Sequence, residues 1–210
     1  MTGVFQLAKI SQFLSDLKNS KHLIRMTIVG DGAVGKTTLV QALLKITADH
    51  NHNHSTGQRV LNNRKITRTP FMEIESWTYK DLVFQCYDLA GQRTPGMHPL
   101  DLLQNHVLKY IDIFIFVFAL DRYESFSNLN NWLRLMNLEH GLRSNNGGFL
   151  LVGNKVDLER NVSKELVLTL VGEDRFFHTY VETCPIYGIG IDEMLNEIVH
   201  LSKRLLIICE

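Results

Sequence analysis

The chain has 210 residues, of which 45% are hydrophobic and 21% are charged, as expected for one sizeable soluble domain. Lysine plus arginine and aspartate plus glutamate number 22 each, so the net charge gives no reason to expect nucleic acid as a partner. Three scattered cysteines, Cys86, Cys184 and Cys209, indicate free thiols of a cytoplasmic protein, and no apolar run approaches the ~20 residues that span a bilayer.

Residues 1–21 are predicted to form an amphipathic helix ahead of a single domain at residues 22–210, because apolar side chains recur there with helical spacing. Two interpretations stay open. The helix lies in a lipid headgroup layer, with Lys9 and Lys18 against anionic lipid, or it packs permanently across the domain. The apolar face consists of Phe5, Leu7, Ile10, Phe13, Leu14 and Leu17.

Residues 30–37 match the phosphate-loop pattern G-x-x-x-x-G-K-[ST] without a mismatch. The apolar run Ile24–Val29 predicts a buried strand before the loop, and Thr38–Ile46 predicts a helix after it. Such a unit aims backbone N–H groups and a helix dipole at one phosphate. Lys36 is expected to contact the β and γ phosphates as a catalytic charge, and the Thr37 hydroxyl to ligate Mg²⁺. The predicted nucleotide contacts here are Gly30, Asp31, Gly32, Ala33, Val34, Gly35, Lys36, Thr37 and Thr38.

The stretch Thr47–Arg68 is polar and turn-rich, which predicts a long loop after the first helix. Within it His50, His52 and His54 alternate. A solvated loop is one interpretation of this pattern, and an extended metal-binding strip is the other.

The rest of the chain alternates between strand and helix patterns. Phe71–Tyr79 and Leu82–Tyr87 predict an antiparallel hairpin, and the apolar run Ile113–Leu120 predicts a strand buried on both faces. Later strands are predicted at Phe149–Gly153 and Phe177–Val181, and helices at Pro99–Leu108, at Tyr123–Leu138, from about Ser163, and at Ile191–Ile208. This order predicts an α/β fold, a doubly wound, mostly parallel sheet with one antiparallel edge strand and a ligand site at the strands' carboxyl ends.

Three further motifs follow predicted strands: Asp88-Leu89-Ala90-Gly91-Gln92, Asn154-Lys155-Val156-Asp157 and Thr183-Cys184. Together with the phosphate loop they resemble the motifs of the Ras-like small GTPases, over about residues 23–204. The resemblance implies the P-loop GTPase fold and a molecular switch that binds GTP or GDP with Mg²⁺ and slowly hydrolyses GTP. It also implies an exchange factor, a GTPase-activating protein and effectors, none of them identified, in signalling or membrane trafficking.

The first of these motifs resembles the family's D-x-x-G-Q. There the aspartate holds Mg²⁺ through a water, the glycine N–H senses the γ-phosphate and the glutamine orients the attacking water. The resemblance assigns these roles to Asp88, Gly91 and Gln92. They suit phosphoryl transfer, which needs positioned water and neutralised charge more than covalent chemistry.

The second motif resembles the guanine motif N-K-x-D. The Asp157 carboxylate can accept hydrogen bonds from the N1–H and 2-amino groups of guanine, a donor pair that adenine lacks, so ATP should be rejected. The Lys155 stem covers the base and Asn154 braces the phosphate loop. Thr183-Cys184 stands where the family has Ser-Ala, whose backbone N–H meets the guanine oxygen, with Pro185 in place of the customary lysine.

A switch threonine should close over Mg²⁺, and Thr69 is preferred to Thr67 because its spacing to Asp88 resembles that of Arf-type GTPases. The amphipathic helix is also similar to that of Arf proteins, which tuck it away with GDP and release it to a membrane with GTP. Gly32 and Ala90 resemble Ras and Rab proteins instead. The sequence shows no arginine supplied in cis to the γ-phosphate, so help from a partner's arginine is expected.

Two other functions stay open. One is a nucleotide-dependent scaffold that binds GTP with little turnover, against which the intact Gln92 argues. The other is an ATP-using P-loop enzyme, against which Asp157 argues because a buried carboxylate would be left without a partner by adenine.

Overall fold

A six-stranded sheet lies at the centre of this computed structural model, which describes residues 22–52, 72–91, 108–136, 147–173 and 175–208. The strands are β1 (His22–Val29), β2 (Met72–Tyr79), β3 (Leu82–Leu89), β4 (Ile113–Ala119), β5 (Gly148–Asn154) and β6 (Thr179–Thr183). Their order across the sheet is β2-β3-β1-β4-β5-β6, and every neighbouring pair is parallel except β2 and β3. The predicted doubly wound, mostly parallel sheet with one antiparallel edge strand is confirmed.

Helices cover both faces of the sheet. They are α1 (Lys36–His52), α2 (Tyr123–Ser127), α3 (Leu129–Leu135), α4 (Lys164–Leu168) and α5 (Ile191–Ile208), and a short 3₁₀ turn lies at Leu108–Tyr110. Side chains of α1 and α5 pack into one apolar core, and side chains of α2, α3 and α4 pack into the other. None of the helices in the described part of the chain is long and apolar enough to cross a bilayer.

The position of strand β4 between two apolar cores explains why its sequence is continuously apolar. Ile113, Ile115 and Val117 enter the core beneath α1 and α5, whereas Phe114 and Phe116 enter the core on the opposite face. Alternate residues of a strand point to opposite faces, so a strand covered on both sides has no position left for a polar side chain. Burying each of these side chains contributes roughly 1.5–3 kcal/mol relative to leaving it exposed.

The first helix is longer than its sequence pattern predicts. The helix predicted over Thr38–Ile46 is confirmed within α1, whereas the prediction of a loop from Thr47 was wrong as far as His52, because α1 begins at Lys36 and ends at His52. Thr47 is buried, and its hydroxyl donates to the Leu43 carbonyl oxygen at 2.7 Å, so the helix itself satisfies this polar side chain. The rest of the predicted loop, from residue 53 to residue 68, lies outside the described residues.

Two other boundaries also differ from prediction. The helix expected over Tyr123–Leu138 is divided at Asn128, which ends α2 and begins α3. Strand β6 begins at Thr179 instead of Phe177, whose buried side chain packs in the core while its backbone forms an isolated bridge with Val171.

The helix predicted from about Ser163 is confirmed, since the Ser163 hydroxyl accepts a hydrogen bond from the Leu166 N–H at the start of α4. The amphipathic segment 1–21 and most of the predicted helix Pro99–Leu108 lie outside the described residues. The division between residues 21 and 22 therefore stays a prediction.

Candidate functional site

Polar segments that follow β1, β3, β4, β5 and β6 meet at the carboxyl edge of the sheet. This is the edge at which open α/β sheets bind ligands, because the loops there leave the strands on both sides of a crevice. The segment after β1 is the loop Gly30–Gly35. Residues at the ends of β3, β4 and β5 contact this loop, and the end of β6 contacts Asn154 of β5.

The backbone of this loop requires glycine at two positions. Gly30 has φ +147°, and a Cβ there would lie 2.1 Å from the Val117 carbonyl oxygen. Gly35 has φ +100°, and a Cβ there would lie 2.3 Å from the side-chain nitrogen of Asn154. An L-residue with a side chain would be strained at either position and would also collide with its neighbour. The loop can therefore lie against β4 and Asn154 only because Gly30 and Gly35 have no side chain.

Lys36 begins α1, and its ammonium group turns back into the loop. Nζ donates to the Gly30 carbonyl oxygen at 2.9 Å and to the Asp31 carbonyl oxygen at 3.0 Å. Burial lowers the pKa of Lys36 to about 8, although the nearby carboxylates of Asp88 and Asp31 oppose this shift. The loop thus holds a buried cation against backbone carbonyl groups.

Thr37 and Asp88 bring two oxygen ligands together beside the loop. The Thr37 hydroxyl donates to Oδ2 of Asp88 at 2.5 Å, and Asp88 is only 2% exposed. A hydroxyl and a carboxylate are ligands that Mg²⁺ prefers in proteins, so this donor set fits the ion that the sequence implies. The described residues contain no group of three or more His, Cys, Asp or Glu side chains that could hold a metal. Phosphate oxygens, water and the predicted switch threonine would supply the remaining ligands.

Gly91 lies directly against the loop. A Cβ at this position would lie 2.4 Å from Nζ of Lys36 and 2.5 Å from the Asp31 carbonyl oxygen. The segment after β3 can approach the ammonium group this closely only because residue 91 is glycine. Gln92 and both candidate switch threonines, Thr67 and Thr69, lie outside the described residues, so their roles stay predictions.

Asn154, at the end of β5, links the second motif to the phosphate loop. Its side-chain nitrogen donates to the Val34 carbonyl oxygen at 2.7 Å, and its side-chain oxygen accepts a hydrogen bond from the Thr183 hydroxyl at 3.0 Å. All three residues are buried. Asn154 therefore lies in the bracing position that the sequence predicts, and Thr183 holds Asn154.

The next residues of the motif are less buried than Asn154: Lys155 is partly exposed and Asp157 is exposed, so Asp157 is not the buried carboxylate that the sequence predicts. Lys155 has φ +65°, and its Nζ lies 3.7 Å from Oδ1 of Asp121. The side chain of Asp157 forms a hydrogen bond with the Cys184 thiol, and this bond, after burial, raises the pKa of the thiol. Asp157 is thus fixed by a side chain from the loop after β6.

The backbone N–H of Cys184 has a partner that the sequence did not predict. It donates to the Ile189 carbonyl oxygen at 2.9 Å, and the Ile189 N–H donates back to the Cys184 carbonyl oxygen at 3.0 Å. This N–H, expected to meet the guanine oxygen, is therefore already used within the loop. The following residue, Pro185, has no N–H to offer in its place.

The segment predicted as a possible extended metal strip is helical as far as residue 52. His50 and His52 lie in α1, so this part of the chain is not an extended strip. Nε2 of His50 lies 3.3 Å from Oδ1 of Asp192, and its ring is 5.6 Å from the ring of Tyr79. His54 lies outside the described residues.

Sequence reasoning missed three side chains from the segment after β4 that hold the phosphate loop. The Asp31 carboxylate accepts hydrogen bonds from the Asn128 side-chain nitrogen and from Nε1 of Trp132, each at 2.9 Å. Nη2 of Arg122 donates to the Gly32 carbonyl oxygen at 2.8 Å. The one available signal was position, because Arg122 comes soon after a buried strand whose carboxyl end lies beside β1.

Comparisons with known proteins agree with this fold. The family model described as "Ras family" matches residues 25–204. The Ras-like protein rasU of Dictyostelium discoideum is 27% identical over 208 residues, which cover 93% of this chain and 83% of that protein. Ras-related protein Rab-13 of Mesocricetus auratus is 30% identical over 183 residues, covering 84% and 78%, and human Rab-9B is 27% identical over 188 residues, covering 87% and 86%. These relatives are Ras and Rab proteins, so they do not support the predicted Arf-type resemblance.

Proposed function

The chain belongs to the Ras family of small GTPases, and on that premise we propose that it hydrolyses GTP at the carboxyl edge of its sheet and switches between two shapes. Membership of the family implies that the protein binds guanine nucleotide and hydrolyses GTP. The proposal adds which residues of this chain perform each task.

One observation carries the proposal: Lys36, Thr37 and Asp88 lie together beside the glycine loop. The Lys36 ammonium is buried against the loop, and the Thr37 hydroxyl contacts the Asp88 carboxylate. A buried cation stabilises the β and γ phosphates. Thr37 would ligate Mg²⁺ and Asp88 would hold it through a water, and the ion would neutralise charge during phosphoryl transfer. Gln92 orients the attacking water, and Thr69 together with Gly91 responds to the γ-phosphate.

The base is held at the other end of the site. Asp157 accepts hydrogen bonds from the N1–H and 2-amino groups of guanine, and the Lys155 stem covers the ring. Support comes from Asn154, which links this motif to the phosphate loop, and from the Cys184 thiol, which fixes Asp157.

The experiment measures nucleotide competition and phosphate release with the full chain. A fluorescent GDP analogue should be displaced by GTP but not by equal ATP, and Mg²⁺ should be required for phosphate release. Gln92→Leu should bind GTP normally and lose most phosphate release. Gln41→Leu, a change at a partly exposed position of α1, is the matched control and should leave both measurements unchanged.

Two different results would contradict the proposed function. Equal displacement by ATP would contradict guanine selection and favour an ATP-using enzyme. GTP binding without phosphate release, with Gln92→Leu indistinguishable from the unmodified chain, would favour the scaffold that binds GTP with little turnover.

We further propose that residues 1–21 dock on a membrane when GTP is bound. The support is the apolar face of Phe5, Leu7, Ile10, Phe13, Leu14 and Leu17, flanked by lysines that suit anionic lipid. Flotation with anionic liposomes should be stronger with a non-hydrolysable GTP analogue than with GDP. Replacing Phe5 and Phe13 by Ser should abolish the difference, and equally weak flotation with both nucleotides would contradict the proposal.

A further inference from the structure

Arg122 is held in place at the carboxyl end of β4, facing the phosphate loop. It is the residue before α2, and its backbone is extended, with φ −135° and ψ 97°. Its N–H donates to the Ala119 carbonyl oxygen at 3.0 Å, and its own carbonyl oxygen accepts hydrogen bonds from the Ser125 N–H and hydroxyl at 3.1 and 2.7 Å. The side chain therefore starts from a backbone that cannot easily move.

The guanidinium group contacts a backbone carbonyl of the loop and not a carboxylate. Nη2 donates to the Gly32 carbonyl oxygen at 2.8 Å, and Arg122 forms no ion pair within the part of the chain that the structure describes. The nearby carboxylates have other partners: Asp31 accepts from Asn128 and Trp132, and Asp121 lies 3.7 Å from Nζ of Lys155. A partly buried cation without an anion is unfavourable, so this arrangement suits an anionic ligand.

Two cations therefore hold three successive carbonyl groups of one short loop. Lys36 donates to the carbonyl oxygens of Gly30 and Asp31, and Arg122 donates to that of Gly32. The two positive charges are close enough that Arg122 contributes, as the smallest of its causes, to lowering the pKa of Lys36. Asp88 and Asp31 offset part of the repulsion between these two cations, and an anion bound between the cations would offset more of it.

We propose that Arg122 is a catalytic residue for GTP hydrolysis, supplying from within the same chain the guanidinium group that stabilises the γ-phosphate during transfer. This inference rests on the proposed function. A guanidinium has five N–H donors in a rigid fork, and Arg122 uses one of them on Gly32. The remaining donors contact γ-phosphate oxygens, and Gly32 leaves room for them because it has no side chain.

The reaction is the ordinary hydrolysis of a phosphoanhydride. The water oxygen forms a bond to the γ-phosphorus as the bond from that phosphorus to the β–γ bridging oxygen breaks. The bonding electron pair remains on GDP, and the protons of the attacking water are divided between inorganic phosphate and solvent. Charge builds on the phosphoryl oxygens and the leaving oxygen during this step, which is where a fixed guanidinium is most effective.

The test compares three variants of the full chain in single-turnover hydrolysis of GTP. Arg122→Ala should hydrolyse roughly 30-fold more slowly, the difference between related hydrolases with and without an arginine in cis. Arg122→Lys should recover part of the rate, because it keeps the charge but loses the planar fork. Arg134→Ala, the same change at an exposed position of α3, should hydrolyse at the unmodified rate.

A second readout separates catalysis from simple support of the loop. The unmodified chain should bind GDP with aluminium fluoride, a mimic of the transferring phosphoryl group, without any activating protein, and Arg122→Ala should lose this complex while its affinity for GDP changes less than threefold. Hydrolysis by Arg122→Ala at the unmodified rate would overturn the inference. So would an equal loss of GDP affinity and hydrolysis, which would assign Arg122 to loop support alone. If the unmodified chain released no phosphate at all, the proposed function itself would fail.

Discussion

The side-chain nitrogen of Asn154 donates to the Val34 carbonyl oxygen at 2.7 Å, joining the guanine motif to the phosphate loop inside the protein. The base and phosphate ends of the site are therefore coupled by a bond within the protein itself. The same amide is held from the other side by the Thr183 hydroxyl.

Replacing Asn154 by Ala should weaken both folding and nucleotide binding. The buried Val34 carbonyl would lose its partner, which costs about 1–3 kcal/mol in the free energy of unfolding. Urea denaturation and GDP affinity measure the two effects. Asn196→Ala, at an exposed position of α5, is the control and should change neither quantity. Unaltered GDP affinity in Asn154→Ala would show that the two ends of the site act independently.

Nucleotide binding should be accompanied by proton uptake near pH 8.5. Burial lowers the pKa of Lys36 to about 8, so much of the nucleotide-free protein carries a neutral Lys36 at this pH. Phosphate groups favour the ammonium form and raise this pKa, so GDP affinity should fall as the pH rises through 8 and beyond. Calorimetry of GDP binding in buffers of different ionisation enthalpy measures the uptake.

Lys36→Met has no titrating group at this position, so any residual GDP binding should show no proton uptake at pH 8.5. Unchanged uptake in this variant would place the titrating group elsewhere. GDP affinity of the unmodified chain that does not vary between pH 7 and pH 9.5 would contradict the coupling directly.

Replacing Trp132 by Phe should destabilise the protein more than replacing Trp77 by Phe. Nε1 of Trp132 donates to the Asp31 carboxylate at 2.9 Å, whereas the buried Nε1 of Trp77 has no hydrogen-bond partner in the described part of the chain. Both changes remove similar ring volume, so their difference reports the hydrogen bond, about 1–2 kcal/mol in urea denaturation. Equal losses would mean that the Asp31 contact contributes nothing to stability.

Replacing Pro185 by Ala should slow GDP release. The Cys184 N–H is already bonded to Ile189 and proline has no N–H, so alanine adds a donor at the place where the guanine oxygen is expected. One added hydrogen bond of about 0.5–1.5 kcal/mol corresponds to roughly a 2- to 13-fold slower release. Ile186→Ala, at the exposed neighbouring position, serves as the control, and release of a fluorescent GDP analogue is the measurement. Release at the unmodified rate would place position 185 away from the base.

Patterns that depend on neighbouring residues predicted most of the fold. The continuous apolar run of β4 is sufficient to indicate a strand covered on both faces, and the glycines and lysine of residues 30–37 are sufficient to indicate a phosphate loop. The end of α1 was not predictable in this way. The residues from Thr47 to His52 are mostly polar, and this end of the helix is stabilised by a hydrogen bond from Thr47 to Leu43 and by contacts of His50 with distant residues.

Some details of the site were not predictable from the sequence for the same reason: they depend on contacts between distant segments. Whether the Cys184 N–H faces a ligand depends on its pairing with Ile189, which no local pattern reveals. Arg122 and Gly32 are far apart in sequence, and an arginine before a helix is usually solvated, so nothing local marked it as a contact of the loop. Motifs indicate which residues bind a ligand class, whereas contacts between segments decide how they are held.

Side chains from outside the phosphate loop hold it before a nucleotide arrives. Its carbonyl oxygens accept hydrogen bonds from Asn154, Arg122 and Lys36, and its Asp31 carboxylate accepts hydrogen bonds from Asn128 and Trp132. A glycine-rich segment ordinarily loses more backbone entropy on ordering than any other kind. Here that loss occurs when the chain folds, so an arriving nucleotide meets a preorganised cradle and retains more of its interaction energy as affinity.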